Sequence, residues 1–234
     1  MKRHIQAFIT GVTLMAASPG SWAMKTADPF LVKFMADKLE VANDADNTKS
    51  WDVQLWAGKD WHKLWLYSEG ESAKGQTASE NMLAYSHPIA PFWDAQIGFG
   101  RDEAPGASYN WGVVGVNGLA PYWFETRAHL LVGEDGTAGL RASAEYEALL
   151  TQFLILTPEV AVSAYSGDIE KMGIGSGLSS LSFGLRLRYE IRREFAPYVG
   201  VQWSQTYGKT ADFRRAEGEK TGDTTLVAGV RIWF

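Results

Sequence analysis

The chain has 234 residues, with 22 Lys and Arg against 27 Asp and Glu, and it contains no Cys. The acidic balance argues against a nucleic-acid-binding role, because such proteins need a concentrated basic surface. Disulfides within the chain are excluded, and the length suits a single domain.

The first 23 residues have the pattern of a cleavable signal peptide. A basic start at 1–4 precedes an apolar segment at 5–17, and 21–23 places small residues where a signal peptidase cleaves. The apolar segment is too short and too interrupted to anchor the chain in a bilayer. Cleavage after Ala23 would leave a net charge of −7 and would mean export. The alternative is a soluble N-terminal helix.

Residues 24–32 are expected to form a short tail, and residues 33–234 are predicted to form about twelve β-strands. Each segment has about ten residues of alternating polar and apolar character and ends at a turn signal, as in transmembrane barrel strands. No segment after residue 24 has 18 consecutive apolar residues, so no transmembrane helix is predicted. The predicted strands are 33–42, 51–59, 61–71, 79–88, 91–102, 108–119, 121–133, 138–150, 152–165, 179–192, 196–208 and 224–234.

The alternation is clearest in 181–192, where apolar or aromatic residues occupy every odd position and polar residues or Gly every even one. A soluble sandwich with strands this long would be unusual. In a membrane barrel the apolar face meets lipid and the polar face lines the lumen. The last strand continues this pattern to an outward-facing C-terminal Phe234. The predicted fold class is therefore all-β, a closed antiparallel transmembrane β-barrel in the bacterial outer membrane.

Short and long connections alternate along the predicted barrel. The long set comprises 43–50, 72–78, 103–107, 134–137, 166–178 and 209–223, of which the last is charged enough to be mobile. Barrel topology places short turns in the periplasm and longer loops outside. Both termini would then face the periplasm.

The predicted lumen contains charges of both signs. They are Lys38, Asp52, Lys63, Glu69, Glu80, Asp94, Glu125, Arg127, Arg141, Glu145, Glu147, Glu159, Arg186, Arg188, Glu190 and Arg231. One interpretation is a structural ion-pair network that fills or narrows the barrel, and the other is a polar path with a selectivity filter. A twelve-stranded barrel is intermediate between filled and open ones, so both remain open.

Few residues suit a soft or borderline metal ion. His129 and Met82 are phased to the lumen, Met172 lies in loop 166–178, and acidic residues such as Glu125 and Glu145 are candidate cation contacts. His62 and His87 lie beside short turns, and no two His have H-x-x-H or H-x-x-x-H spacing. Each candidate is also an ordinary packing or surface residue.

No catalytic residues and no enzymatic activity are predicted. An outer-membrane lipase would need an outward Ser–His pair, whereas His129 is phased inward and no G-x-S-x-G occurs. P-loop, Rossmann and zinc-finger patterns are also missing from the sequence.

Several long strings carry a family resemblance. They include WDVQLW at 51–56, KLWLYSEGE at 63–71, SHPIAPFWDAQIG at 86–98, EYEALLTQFLILTPE at 145–159 and TLVAGVRIWF at 225–234. Over about residues 33–234 the chain resembles the copper resistance protein B family. This implies an outer-membrane barrel that helps cells survive high copper, with copper ions and periplasmic copper-handling proteins as partners. Many relatives carry a Met- and His-rich segment before the barrel. In this chain, residues 24–32 contain one Met, Met24, and no His.

The favoured hypothesis is that the barrel binds copper ions or passes them across the outer membrane. Acidic lumen residues would raise the local cation concentration, while His129 and Met82 would bind weakly enough to let the ion move on. The alternative is a non-conducting barrel that anchors periplasmic copper proteins. Full ion pairing of the lumen arginines would favour this alternative. A lipase is the third hypothesis.

Overall fold

The computed structural model describes residues 28–234, which form one closed antiparallel barrel of twelve strands. The strands are β1 Leu31–Ala42, β2 Lys49–Lys59, β3 His62–Ala73, β4 Gln76–Ala90, β5 Trp93–Ala104, β6 Ala107–Ala120, β7 Phe124–Gly133, β8 Ala138–Glu145, β9 Ala148–Leu149, β10 Leu154–Tyr165, β11 Gly177–Tyr189, β12 Phe195–Thr206 and β13 Gly222–Trp233. The short segments β8 and β9 both pair with β10 and form two parts of one barrel strand. The all-β barrel prediction is confirmed, and the predicted strand limits lie within three residues of the observed ones.

Pairing of the first and last strands closes the sheet. Met35 lies opposite Trp233 in the β1–β13 ladder. The backbone N–H of Phe34 donates to the Phe234 carbonyl at 3.0 Å, and the Phe234 N–H donates to the Phe34 carbonyl at 2.9 Å. Strand pairing therefore continues all the way round the described barrel, as a hydrocarbon environment requires.

The two ends of the barrel differ. The chain termini and the short turns lie at one end, which we call the terminal end, and the opposite end is called the loop end. Two predicted long loops at the loop end are tight turns, at Lys74-Gly75 and Pro105-Gly106, in which both glycines have positive φ. Longer connections remain at 166–176 and 207–221.

Helical turns occupy three of the connections. Residues Pro121–Trp123 form a 3₁₀ turn, so β7 begins three residues later than predicted, and Glu170–Met172 form another. The segment 209–223, predicted to be a charged loop, instead contains the helix α1 at Gly208–Ala216. Thr210 and Ala211 of α1 are buried beside β11. No helix among residues 28–234 is long and apolar enough to cross a membrane.

Side chains alternate between lipid and lumen, as the sequence predicts. Large apolar residues such as Leu64, Phe99 and Val199 are exposed on the outer face, whereas Asp52, Gln96 and Arg186 are buried inside. A ring of exposed aromatic residues surrounds the terminal end, which is the position of an interfacial girdle. It includes Trp61, Phe92, Tyr122, Trp123, Phe153 and Phe234. The predicted signal peptide, residues 1–23, lies outside the described residues.

Candidate functional site in the barrel lumen

The lumen contains three cavities along its axis. The loop-side cavity has a volume of about 260 Å³, the middle cavity about 20 Å³, and the terminal-side cavity about 390 Å³. The middle cavity has room for about one water molecule. The lumen is therefore constricted between two wider chambers.

The loop-side cavity brings together residues from several strands. Strand pairing sets Tyr67 opposite Met82 and Glu69 opposite Glu80. His129 of β7 lines the same cavity. Thioether, imidazole and carboxylate groups thus share one chamber, with two cross-strand carboxylates side by side.

A hydrogen-bond chain fixes the orientation of His129. Its Nε2 lies 2.9 Å from Oε1 of Gln96, and Nε2 of Gln96 donates to the Tyr67 hydroxyl at 2.8 Å. Because Oε1 of Gln96 can only accept, Nε2 of His129 carries the proton and Nδ1 keeps its lone pair. Nδ1 is therefore the atom available to a cation.

An aromatic and apolar cluster covers the loop side of this cavity. Its buried members are Tyr109, Trp111, Val113, Leu131, Tyr165 and Ile169. Met82, Met172 and Ile174 pack against it. Since Ile169, Met172 and Ile174 all belong to the connection 166–176, this loop folds over the barrel mouth. We call this loop the lid.

The lid is attached to helix α1 by buried and exposed contacts. Gly175 N–H donates to the buried Thr210 hydroxyl at 2.9 Å, and the Ser179 and Thr210 hydroxyls lie 2.9 Å apart. On the exposed side, Lys209 donates to Asp168 at 2.6 Å. This hydrogen bond, with that from Ser176 N–H, lowers the pKa of Asp168 to about 2. At neutral pH the lid is held shut by several contacts at once.

A dense ion-pair layer separates the loop-side cavity from the middle cavity. Arg186 contacts Glu40 at 2.5 Å and Glu159 at 2.8 Å, and Lys38 contacts Glu159 at 2.6 Å. The Tyr198 hydroxyl donates to Glu40 at 2.9 Å. We call these residues the central layer.

Two glycines make room for the guanidinium in the central layer. A side chain at Gly184 would collide with Arg186 and Gln202, and one at Gly200 would collide with Arg186 and the neighbouring backbone. The absence of a Cβ on these adjacent strands allows the bulky Arg186 to cross the lumen toward Glu40.

The other lumen arginines are also paired. Arg231 contacts Glu147 at 2.5 Å and Asp37 at 2.9 Å, and Arg188 contacts Glu147 at 2.8 Å. Nearer the loop end, Arg127 pairs with Asp52 at 3.2 Å, and Arg141 pairs with Asp102 at 2.5 Å and Glu80 at 2.9 Å. All five arginines that the sequence placed in the lumen therefore have acidic partners.

The predicted metal-contacting residues do not meet at one centre. Met82 and His129 line the loop-side cavity, and Met172 packs against the cluster above it. Glu145 lines the middle cavity and Glu125 the terminal-side cavity. Within residues 28–234, no group of three His, Cys, Asp or Glu side chains is arranged to hold a metal ion. The candidates are spread along the lumen.

Sequence reasoning missed several lumen acids. Glu40 and Asp102 have the alternation phase of predicted lumen neighbours and could have been included on that ground. Asp37 could not, because it depends on a β-bulge between Ala36 and Lys38. The bulge lets Asp37 bind Arg231 while the adjacent Lys38 binds Glu159.

Sequence spacing also did not reveal a close pair of histidines. His62 and His87 are 25 positions apart in the sequence, yet their ring centroids are 5.4 Å apart. Their proximity could have been inferred from the register of the β3–β4 hairpin. A turn centred on Lys74-Gly75 places these two residues directly opposite each other on β3 and β4.

The outward histidines do not form a hydrolase pair. His62 contacts the Tyr85 hydroxyl, and His87 contacts the Trp61 carbonyl. In residues 28–234 no histidine is hydrogen-bonded to a serine.

Comparison with known sequences identifies relatives over the whole barrel. The family model described as "Copper resistance protein B precursor (CopB)" matches residues 30–234. Copper resistance protein B of Escherichia coli is 47% identical over 202 residues, covering 86% of this chain and 68% of that protein. The copper resistance protein B homolog of Pseudomonas syringae pv. tomato is 41% identical over 203 residues, covering 86% and 69%.

Solved structures with a similar fold include two porins. The KdgM porin matches with a TM-score of 0.51 and 12% identity, over 87% of this chain and 98% of that one. The NanC porin matches with a TM-score of 0.54 and 9% identity, over 86% and 99%. At such identities the likeness shows the fold alone.

Proposed function

Since the chain belongs to the copper resistance protein B family, we propose that its barrel binds copper ions in the loop-side cavity and passes them across the outer membrane. The observation that carries this proposal is the shared cavity of Met82 and His129, lined also by Glu69 and Glu80. Thioether and imidazole groups suit copper. The carboxylates would raise the local concentration of cations.

The spread of ligands along the lumen fits passage better than storage. Conduction requires several weak sites rather than one closed coordination sphere. Met172 would make the first contact at the lid, and Met82 and His129 would follow in the loop-side cavity. Glu145 and Glu125 lie opposite each other on β8 and β7 and would take the ion beyond the central layer. The lid and the central layer must both move to let an ion through.

Cellular placement follows from the same proposal. Residues 1–23 would direct export and be cleaved after Ala23, leaving a short tail before the barrel, whose first strand begins at Leu31. The terminal end would face the periplasm and the lid the exterior. Outer-membrane lipid would surround the apolar face, and periplasmic copper-handling proteins would meet the terminal end. Neither catalysis nor nucleic-acid binding belongs to this role.

The test is copper binding and conductance of the purified barrel in planar bilayers. Copper should alter cation-selective steps in the wild type. Replacing Met82→Ala and His129→Ala together should weaken copper binding about tenfold or more, a typical scale for a damaged metal site. Met35→Ala is the matched control, because Met35 lines the terminal-side cavity instead. Unchanged copper binding in the double variant would show that the loop-side cavity is not the copper-binding site.

A second candidate function is a non-conducting barrel that docks periplasmic copper proteins. The pairing of all five lumen arginines favours it, because the central layer leaves a middle cavity of only about 20 Å³. Absence of conductance in the planar bilayer would favour this function, provided that heat-modifiable gel mobility shows the barrel to be folded.

A further inference from the structure

Two histidines lie side by side on the outer surface of the terminal end, away from the lumen. His62 begins β3 and His87 lies near the end of β4, one step beyond the Lys63–Ser86 pair in the ladder. Lys63 and Ser86 face inward, since both contact Asp94. Their neighbours His62 and His87 therefore face outward.

Hydrogen bonds orient both imidazole rings through their Nδ1 atoms. His87 Nδ1 is 2.8 Å from the Trp61 carbonyl oxygen. This oxygen can only accept, so Nδ1 carries the proton and Nε2 keeps its lone pair. His62 Nδ1 is 2.5 Å from the Tyr85 hydroxyl, which can accept a hydrogen bond in the same way. Metal-binding histidines are commonly oriented by such a bond from the second ring nitrogen.

The separation of the rings suits a shared ion. A transition metal bound at about 2.0–2.1 Å from an imidazole nitrogen lies about 3.2 Å from that ring's centroid. Two rings at a tetrahedral angle around one ion would then have centroids about 5.2 Å apart. The observed centroid distance is 5.4 Å, with the ring planes inclined at 37°.

We propose that His62 and His87 form a two-histidine Cu²⁺ site on the periplasmic rim. Divalent copper is the first-row ion that such nitrogen ligands bind most tightly. The choice of copper rests on the proposed function, whereas the geometry of the pair does not. Two protein ligands leave coordination positions open to water or to a side chain of a periplasmic carrier. The rim would thus exchange copper with the periplasm independently of the lumen cavity.

The test is a Cu²⁺ titration of the full, folded barrel in detergent, followed by electron paramagnetic resonance. At low copper the spectrum should show nitrogen coupling from two imidazoles. His62→Gln and His87→Gln should each remove one coupling and weaken rim binding about tenfold or more. Tyr85→Phe keeps both ligands but removes the hydroxyl, so the two-nitrogen signal should persist with weaker affinity.

His129→Gln is the matched control, because His129 lines the lumen and does not contact the rim pair. The two-nitrogen signal should survive it. A signal that persists unchanged in His62→Gln and His87→Gln, or no two-nitrogen signal at all, would overturn the rim site. The second outcome would leave the pair as interfacial packing or a lipid-phosphate contact. Neither result for the rim site bears on the conductance test of the Met82 and His129 variants. The rim site and copper passage through the lumen can therefore fail independently.

Discussion

Arg186 is the side chain that holds the central layer together. It is 6% exposed, contacts both Glu40 and Glu159, and crosses the lumen through the space left by Gly184 and Gly200. Glu40 is equally secluded at 5% exposure. A buried ion pair adds little net stability compared with apolar packing, yet loss of one partner leaves an uncompensated charge. The layer is thus stable only while both signs are present.

Replacing Arg186→Met should destabilise the barrel and widen the constriction. Removing one partner of a buried pair costs about 3–5 kcal/mol, and Glu40 would retain only Tyr198 and the distant Ser50 as donors. Unfolding in guanidinium and bilayer conductance measure the two effects. The double replacement Arg186→Met with Glu40→Gln should recover most of the stability but keep the higher conductance. Unchanged conductance in both variants would mean that the central layer is not the barrier.

The lid and α1 act together as one cover over the loop-side cavity. The buried hydroxyl of Thr210 receives the Gly175 N–H and meets the Ser179 hydroxyl, whereas the Lys209–Asp168 pair is solvent-exposed. Water and salt screen an exposed ion pair, so it contributes little, whereas leaving a buried donor unsatisfied costs about 1–3 kcal/mol. The hydroxyl therefore matters more for closure than the charge pair.

Thr210→Val should accordingly open the lid more than Lys209→Met. The chain has no Cys, so a single cysteine introduced by Met172→Cys reports lid opening through its rate of thiol labelling. Labelling should accelerate about fivefold or more with Thr210→Val and less than that with Lys209→Met. The reverse order would show that the surface charges hold the lid.

The contribution of Asp168 to lid closure should depend on pH only in the acidic range. The folded pKa of Asp168 is lowered from 3.8 to about 2, so its stabilising contribution is fully present above about pH 4 and is lost as the pH falls toward 2. Labelling rates of the Met172→Cys protein should therefore show no contribution from Asp168 between pH 6 and 8. A titration near neutral pH that disappears in Asp168→Asn would contradict this assignment.

Strands were predictable from the sequence because lipid and lumen impose opposite polarity on successive residues. This two-residue period located all twelve strands and the inward orientation of Met82 and His129. Features that break the period were not predictable, such as the bulge that brings Asp37 and Lys38 into the lumen together. The pairing of His62 with His87 required knowledge of the turn at Lys74-Gly75. Helix α1 was missed because its charged sequence resembles a solvated loop.

The barrel as a whole depends on contacts between the two ends of the chain. Residues about 200 positions apart must meet before β1 and β13 can pair. The seam ends with two backbone hydrogen bonds between Phe34 and Phe234, whose rings also stack at 6.2 Å. An incomplete seam would leave backbone groups unpaired in hydrocarbon, where each costs several kcal/mol. Closure at this point is therefore expected to limit folding.

Deleting Phe234 should slow and reduce insertion into lipid vesicles more than Phe234→Ser does. The deletion removes both backbone hydrogen bonds to Phe34, while the substitution removes only the stacked ring. Phe99→Ser is the matched control, because Phe99 is 77% exposed on the lipid face, like Phe234 at 72%, but lies far from the seam. Insertion is followed as the fraction of heat-modifiable protein over time.

The expected order of loss, from largest to smallest, is deletion of Phe234, then Phe234→Ser, then Phe99→Ser. Equal losses in the two substitutions would mean that Phe234 contributes only lipid-facing apolar area, and a deletion no worse than Phe234→Ser would mean that the terminal hydrogen bonds form after the rate-limiting step.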